Sequence, residues 1–318
     1  MHLEVKNLTL HYETNNGIVK AVNSVSFSLQ KGETLAIVGE SGSGKSSLAY
    51  AIIKLLPKNI ATYDGGVIFN GFNIVSLPEN ELRKRVRVNG ISMVFQGAMN
   101  TLNPVLTIGD QVADPLVTGL GMSRKEAFNK AVEALSLVGI RREFAKRYPH
   151  ELSGGMKQRV AIAMALVVDP QIIILDEPTS ALDIITQANI MNLLKKLKNE
   201  LKKTYIFITH DLALASELAD RVGIMYAGRL VEIGPAESVF INAKHPYTQL
   251  LIDSVPTLRV DKEPRFIPGS PPDLINPPSG CPFHPRCPYI IKGKCETEEP
   301  TLKQVGENHY AACWLNET

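Results

Sequence analysis

Residues 39–47 read Gly39-Glu40-Ser41-Gly42-Ser43-Gly44-Lys45-Ser46-Ser47, set between an apolar run, Thr34 to Val38, and an apolar helical pattern, Ser47 to Leu56. A turn between strand and helix offers several backbone N–H groups to one anion, and its glycines let the backbone close round phosphate oxygens with no Cβ in the way. Gly39, Gly44, Lys45 and Ser46 fit the spacing G-x-x-x-x-G-K-[ST]. Lys45 is expected to reach the β- and γ-phosphates of a nucleotide. The Ser46 hydroxyl is expected to take a place on Mg²⁺, a small hard ion that prefers oxygen ligands. The competing reading, a glycine-rich turn that binds nothing, is disfavoured by the strand before and the helix after.

The chain has 318 residues, more than one ordinary domain, and its 44% apolar content suffices for a large core. One large α/β domain with a smaller addition is expected. Thirty-four basic and thirty-two acidic side chains nearly cancel, so no global field for nucleic acid is implied. No apolar segment approaches the roughly 20 residues that span a bilayer, and the start MHLEVKNLTL lacks a signal peptide's layout, so a cytosolic chain is expected. All four cysteines follow residue 280, and in a reducing compartment such a cluster favours metal over disulfides.

Before the loop, Leu3, Val5, Leu8 and Leu10, then Val22, Val25, Phe27 and Leu29, alternate with polar residues as antiparallel strands do. Tyr12 lies there and could stack on adenine, or be an ordinary strand aromatic. After the loop, Gly65 to Asn70 and Ile91 to Phe95 read as short strands. The second ends at Gln96, whose amide oxygen could reach a metal-bound water or simply cap the strand. The polar segment after it, GAMNTLNPV, does not look like core. From Met122 to Arg147 the spacing is helical. Ser153, Gly154 and Gly155 then open a long apolar helix, a second glycine-flanked N-terminus suited to an anion. Ile172 to Leu175 form an apolar strand ending in Asp176 and Glu177; the aspartate can hold Mg²⁺ and the glutamate can polarise an attacking water, although adjacent strand-end acids are often only solvated. Tyr205 to Thr209 make another strand, ending at His210, which could donate to a γ-phosphate. Arg221 to Tyr226 and Arg229 to Ile233 read as a hairpin turned at Ala227-Gly228.

Taken together, GESGSGKS, Gln96, LSGGMKQR, IIILDEPTSALD and ITHD resemble the nucleotide-binding subunit of an ATP-binding cassette (ABC) transporter over about residues 3–240. The resemblance implies an α/β fold: a P-loop NTPase core of mostly parallel sheet, an antiparallel β subdomain, a helical signature subdomain over about 97–165, and a small irregular C-terminal extension over 241–318. It also implies roles. Tyr12 stacks on adenine; Gly39, Ser41, Gly42, Ser43, Gly44, Lys45, Ser46 and Ser47 form the phosphate loop; Gln96 senses Mg²⁺ and the membrane partner. Ser46 and Asp176 belong to the Mg²⁺ site, Glu177 is the catalytic base, Asp183 lies in the loop that crosses the dimer, and His210 contacts the γ-phosphate. Ser153, Gly154 and Gly155 act in trans on ATP held by a facing subunit. Met156 stands where many members have glutamine.

The segment Met99 to Gly109, then YPHELSGGM and KHPYTQLL, resembles more narrowly the oligopeptide/dipeptide importer ATPases. Gly97-Ala98 replaces the more usual acidic-proline pair. This resemblance implies a peripheral protein on the cytoplasmic face of the membrane, working with a second ABC ATPase (a paralogue or another copy), two transmembrane permease subunits and, indirectly, an extracytoplasmic solute-binding protein. No nucleic-acid partner is expected. A soluble ABC ATPase acting on DNA or ribosomes is the alternative, and the absence of a second cassette or a coiled-coil insertion disfavours it.

Residues 264–288 hold nine prolines and are expected to run as an extended surface segment. Cys281, Cys287, Cys295 and Cys313 are separated by five, seven and seventeen residues, which is neither a CxxC-paired zinc ribbon nor a common ferredoxin run. Three readings stay open: a [4Fe-4S] cluster, Zn²⁺, or unliganded thiols. The run GCPFHPRC with two later cysteines resembles the tail of dipeptide-importer ATPases, some of which carry such a cluster, and the cluster is the reading taken forward. His284 and His309 could serve as substitute ligands, but with four thiols available they are expected to be solvated loop histidines.

Overall fold

The computed structural model describes residues 2–255 and 266–317. Twelve strands follow in chain order among these residues. β1 (Leu3–Thr14), β2 (Gly17–Leu29) and β3 (Thr34–Val38) lead into the glycine-rich loop, and β4 (Ile60–Phe69), β5 (Phe72–Asn73) and β6 (Ile91–Val94) come after it. β7 (Ile172–Asp176), β8 (Thr204–Thr209), β9 (Arg221–Tyr226) and β10 (Arg229–Pro235) follow, and β11 (Lys303–Gly306) and β12 (His309–Ala311) lie in the tail. The chain forms two compact units, Met1–Val75 with Ile208–Thr318, and Ser76–Phe207. The glycine-rich loop and the tail strands fall in the same unit.

In the first unit, β2, β1, β4 and β5 make an antiparallel sheet in that order. The alternation seen in the sequence buries Leu3, Val5, Leu8 and Leu10 of β1 against Val22, Val25 and Leu29 of β2. β3, apolar except for Thr34 and buried at all five positions, pairs in parallel with β9, as a strand covered on both faces does. β9 and β10 form the expected hairpin, with Ala227 and Gly228 both at positive φ, 48° and 75°, as a two-residue turn matching strand twist requires. β12 then adds antiparallel to β10, with Glu232 opposite Ala311, and β11 adds to β12. Nothing in the tail's composition announced these two strands.

The proline-rich run departs from its expected course at its end. Residues 264 and 265 lie outside the described residues; residues 266–280 keep the expected exposed or half-buried course without helix or strand, and only at the end do side chains enter the core, with Phe283 1% and Arg286 7% exposed. Proline denies it a helix or ladder but leaves its neighbours free to point inward. His309 corrects a second expectation. It is buried, and its Nε2 lies 2.7 Å from Glu232, a carboxylate with no exposure at all.

In the second unit β6 and β7 pair in parallel, Ile91 opposite Ile172 to Val94 opposite Leu175. The helical stretch expected over 122–147 is a helix over Arg124–Leu137, stopped at Gly139 with φ 78°, then a 3₁₀ turn over Arg142–Lys146. Two further helices, Ile108–Leu120 and Ile184–Leu201, start at the side-chain caps Thr107 and Asp183.

Candidate functional site

The phosphate loop is built by close approach. Gly44 has φ 100°, and a Cβ there would collide with the Ala21 carbonyl oxygen; a Cβ on Gly39 would collide with the carbonyl oxygen of Met225. The helix Lys45–Ile52 begins at Gly44 with no side-chain cap, so its first N–H groups face the loop, the arrangement that suits an anion. Lys45 is 5% exposed, and its ammonium donates to the carbonyl oxygens of Gly39 (2.7 Å) and Glu40 (2.8 Å) and to Ser43 Oγ (3.4 Å). The loop oxygens hold the cation where incoming phosphate oxygens can take their place. Ser46 and Ser47 are half-buried; Ser41 and Gly42 are exposed. Tyr12, near the end of β1, is partly buried, which raises its pKa above the ordinary value, and its hydroxyl bonds to Ser47, which opposes that shift. The structure therefore brings Tyr12 to the loop helix. His210 follows β8 in this same unit and is exposed, in a turn where Thr209 Oγ1 accepts from Asp211 N.

The second unit gathers two further sets. Asp176 ends β7 fully buried. Glu177 takes a left-handed φ of 46°, a conformation that costs a non-glycine residue about 1–3 kcal/mol, and is half-buried beyond the strand end. Gln96 Nε2 donates to Glu177 Oε2 at 3.0 Å. The side chain after β6 and the side chain after β7 thus meet, because their strands are neighbours in register.

In the other set, Ser153 caps the helix Gly154–Leu166, accepting from Met156 N. Position 156 contributes a backbone N–H to that bond, so methionine serves it as well as glutamine. Asp183 accepts from Thr186 N (2.9 Å) and Oγ1 (2.7 Å); these bonds hold its carboxyl below the ordinary carboxylate range. A Cβ on Gly155 would stand 2.6 Å from Thr186 Cγ2. Thr186 therefore joins Asp183 to the Ser153–Gly155 turn. Sequence reasoning missed it, and only its i+3 spacing from a capping aspartate marks it.

The tail packs round an aromatic cluster in the first unit. The Tyr226 and Tyr247 ring centroids lie 4.6 Å apart, and Phe283 stands 5.2 Å from the first and 5.3 Å from the second. Buried Glu232 accepts from Lys244 N (2.7 Å) and His245 N (3.0 Å) besides meeting His309. Burial lowers the His245 pKa to about 4, with the Glu232 charge opposing. Its Nδ1 accepts from Tyr247 N, consistent with a neutral ring.

Cys281, Cys287, Cys295 and Cys313 are free thiols lining one small cavity with His245, Phe283 and Trp314. Burial pushes the Cys281 thiol up to about 12 and the Cys313 thiol up to about 11, and charge on neighbouring cysteines adds to both shifts; the Cys287 thiol is raised for the same reasons. Among the described residues, however, no three histidine, cysteine or acidic side chains stand in a metal-binding group. The expected [4Fe-4S] centre is therefore not carried by the geometry. The thiols share a cavity, and nothing further joins them into a ligand set.

A phosphate loop on a parallel strand, a capped glycine turn opening a helix, and a strand-end acid bonded to a glutamine define an ATP-binding cassette ATPase. The ABC transporter family pattern matches residues 22–180, and the pattern for the oligopeptide/dipeptide transporter C-terminal region matches 231–295. The chain is 46% identical to an oligopeptide transport ATP-binding protein of Bacillus subtilis, covering 98% of this chain and 88% of the relative. It is also 46% identical to a dipeptide transport ATP-binding protein of Lactococcus lactis, covering 98% and 90%. A dimeric ATP-binding cassette solved in a post-hydrolysis state with ADP and Pi superposes with a TM-score of 0.65 at 36% identity, covering 74% of this chain and 98% of that one. The chain belongs to the ATP-binding subunits of the oligopeptide/dipeptide ABC importer family, and its α/β P-loop NTPase fold is the expected one.

Proposed function

We propose that this chain hydrolyses ATP to power uptake of dipeptides, oligopeptides or a related small solute, as one of two ATPases on the cytoplasmic face of a membrane complex. The observation that carries the reading is the phosphate loop, with Lys45 buried at its centre on two backbone carbonyls and an uncapped helix N-terminus behind it. Gly39 to Ser47 bind the phosphates and Tyr12 carries the adenine. The donors assigned to Mg²⁺, namely the Ser46 hydroxyl, the Gln96 amide and the Asp176 carboxylate, are all oxygen, the set this ion takes. Mg²⁺ there supplies charge neutralisation at the β- and γ-phosphates. Glu177 accepts the proton of the attacking water, Gln96 orients that carboxylate, and His210 donates to the γ-phosphate.

Ser153 to Gly155 and Asp183 serve a facing ATPase, which places one nucleotide across each half of a pair. Support comes from Ile184 and Ile185, beside Asp183, which are 83% and 76% exposed. Val105, in the segment after Gln96, is 76% exposed, which supports its use as a contact for one of two permease subunits. Among the described residues no helix is long and apolar enough to cross a membrane, so such subunits would supply the channel. A solute-binding protein would act through them. The functional division is a nucleotide-binding domain over 1–240, its helical part about 97–165, and an extension over 241–318. In the extension the notable feature is that four thiols line one cavity; a structural [4Fe-4S] cluster is the occupant we propose on the strength of the family resemblance, against zinc or unliganded thiols, although among the described residues the thiols form no metal-binding group. DNA or ribosomes are not favoured, since the full-length relatives are named as peptide transport subunits.

The test of the nucleotide assignment is ATP binding by the full chain. Lys45→Ala should abolish it while the fold, read by circular dichroism, is kept. Equal binding by both proteins would end the reading.

A further inference from the structure

Glu40 is the second residue of the phosphate loop, and each of its polar groups is engaged. Its carbonyl oxygen accepts from Lys45 Nζ at 2.8 Å, and its N–H donates to the Tyr247 hydroxyl at 2.9 Å. Its carboxylate takes a two-pronged ion pair from Arg286, Nη1 to Oε2 at 2.8 Å and Nη2 to Oε1 at 3.0 Å. Arg286 is itself immobilised. Nε donates to the Pro268 carbonyl at 2.7 Å, Nη1 also donates to the Tyr226 hydroxyl at 3.2 Å, and the guanidinium lies 5.8 Å from the Tyr226 ring centroid. Its side chain is 6% exposed and that of Glu40 24% exposed, so water screens the pair little. A fork-to-carboxylate pair fixes direction as well as distance, which a point charge does not.

We propose that Arg286, a residue of the C-terminal extension, is a positioning residue for the ATP site. It holds Glu40 so that the Glu40 carbonyl presents Lys45 to the phosphates. This rests on the nucleotide reading of the loop given above. The extension is then part of the ATP-binding machinery: a tail residue 246 positions away is tied to the loop lysine through one intervening residue. Without the pair, the first turn of the loop can rotate about Gly39 and Ser41, and Lys45 loses one of its two carbonyl anchors.

The test measures MgATP affinity of the full-length chain by calorimetry, with every variant in a Glu177→Gln background so that binding is read without turnover. Arg286→Ala should weaken binding roughly tenfold, less than the direct cost of truncating one partner of a buried charge pair, because the loss reaches the nucleotide only through Glu40 and Lys45. Glu40→Gln, which leaves the tail untouched, should weaken it to a similar degree. The double variant should be no worse than the weaker single, and Arg286→Lys should recover part of the loss. His309→Ala, which removes a buried tail contact to Glu232, should lower the melting temperature without moving ATP affinity. The proposal is overturned if Arg286→Ala binds as the parent does, if the two losses add, or if His309→Ala at matched stability loses as much. If Lys45→Ala also binds normally, the loop reading itself has failed, a result distinguishable from failure of the clamp alone.

Discussion

The amide nitrogen of Gln96 stands 3.0 Å from a carboxylate oxygen of Glu177, a residue whose backbone is held in the left-handed region. The second residue after β6 therefore orients the acid that follows its neighbour β7. Glu177→Gln keeps an acceptor for Gln96 but removes the base. Turnover should fall about 10²–10⁴-fold with ATP affinity unchanged, the size of a general-base loss. Single-turnover hydrolysis and equilibrium binding check this together; undiminished hydrolysis would remove Glu177 from the role.

Gly155 and Thr186 make a sharper steric prediction. A methyl group at 155 would press on Thr186 Cγ2, which cannot swing aside without breaking the Thr186 Oγ1 bond to Asp183. Gly155→Ala should cost about 1–3 kcal/mol, as overpacking does. Adding Thr186→Ser deletes that methyl while keeping the hydroxyl on Asp183, and should recover most of the loss in melting temperature. No recovery would mean that the clash is relieved some other way.

Much of this was legible in the sequence, for a physical reason. GESGSGKSS and IIILDE declare themselves because a strand's apolar run, a glycine turn and a helix start are local and periodic, so residue types alone place Lys45, Asp176 and Glu177 at element ends. The expected hairpin at Ala227-Gly228 was legible on the same terms. Contacts between distant residues were not. Nothing near Glu40 points to Arg286, and nothing near Glu232 points to His309, since a single charge has no period and its partner is chosen by the fold. The exposed course of residues 266–280 was legible in the proline content, but composition reports backbone options and is silent on where Phe283 points.

The buried pair of Glu232 and His309 anchors β12 to β10. His309→Ala should destabilise the chain by about 3 kcal/mol, because it leaves a carboxylate with no exposure short of a partner. Glu232→Gln in that background should restore part of the stability, since it removes the buried charge, while its single oxygen keeps one of the two backbone bonds that Oε1 and Oε2 accept from Lys244 N and His245 N. Chemical denaturation would show both shifts; a further loss in the double variant would contradict the assignment.

For the cysteines, protein purified without oxygen should carry about four irons and four sulfides per chain, and Cys281→Ser should release them. Colourless protein with stoichiometric zinc, or with no metal, would remove the iron–sulfur cluster.

The central claim is that this ATPase works on a membrane importer. The direct measurement is to tag the chain, solubilise the membranes that hold it with mild detergent, and identify what co-purifies. Two polytopic membrane proteins with an ABC ATPase partner, or a second copy of this chain, are the predicted result. Recovery from the soluble fraction with ribosomes or DNA, and no membrane protein, would contradict it.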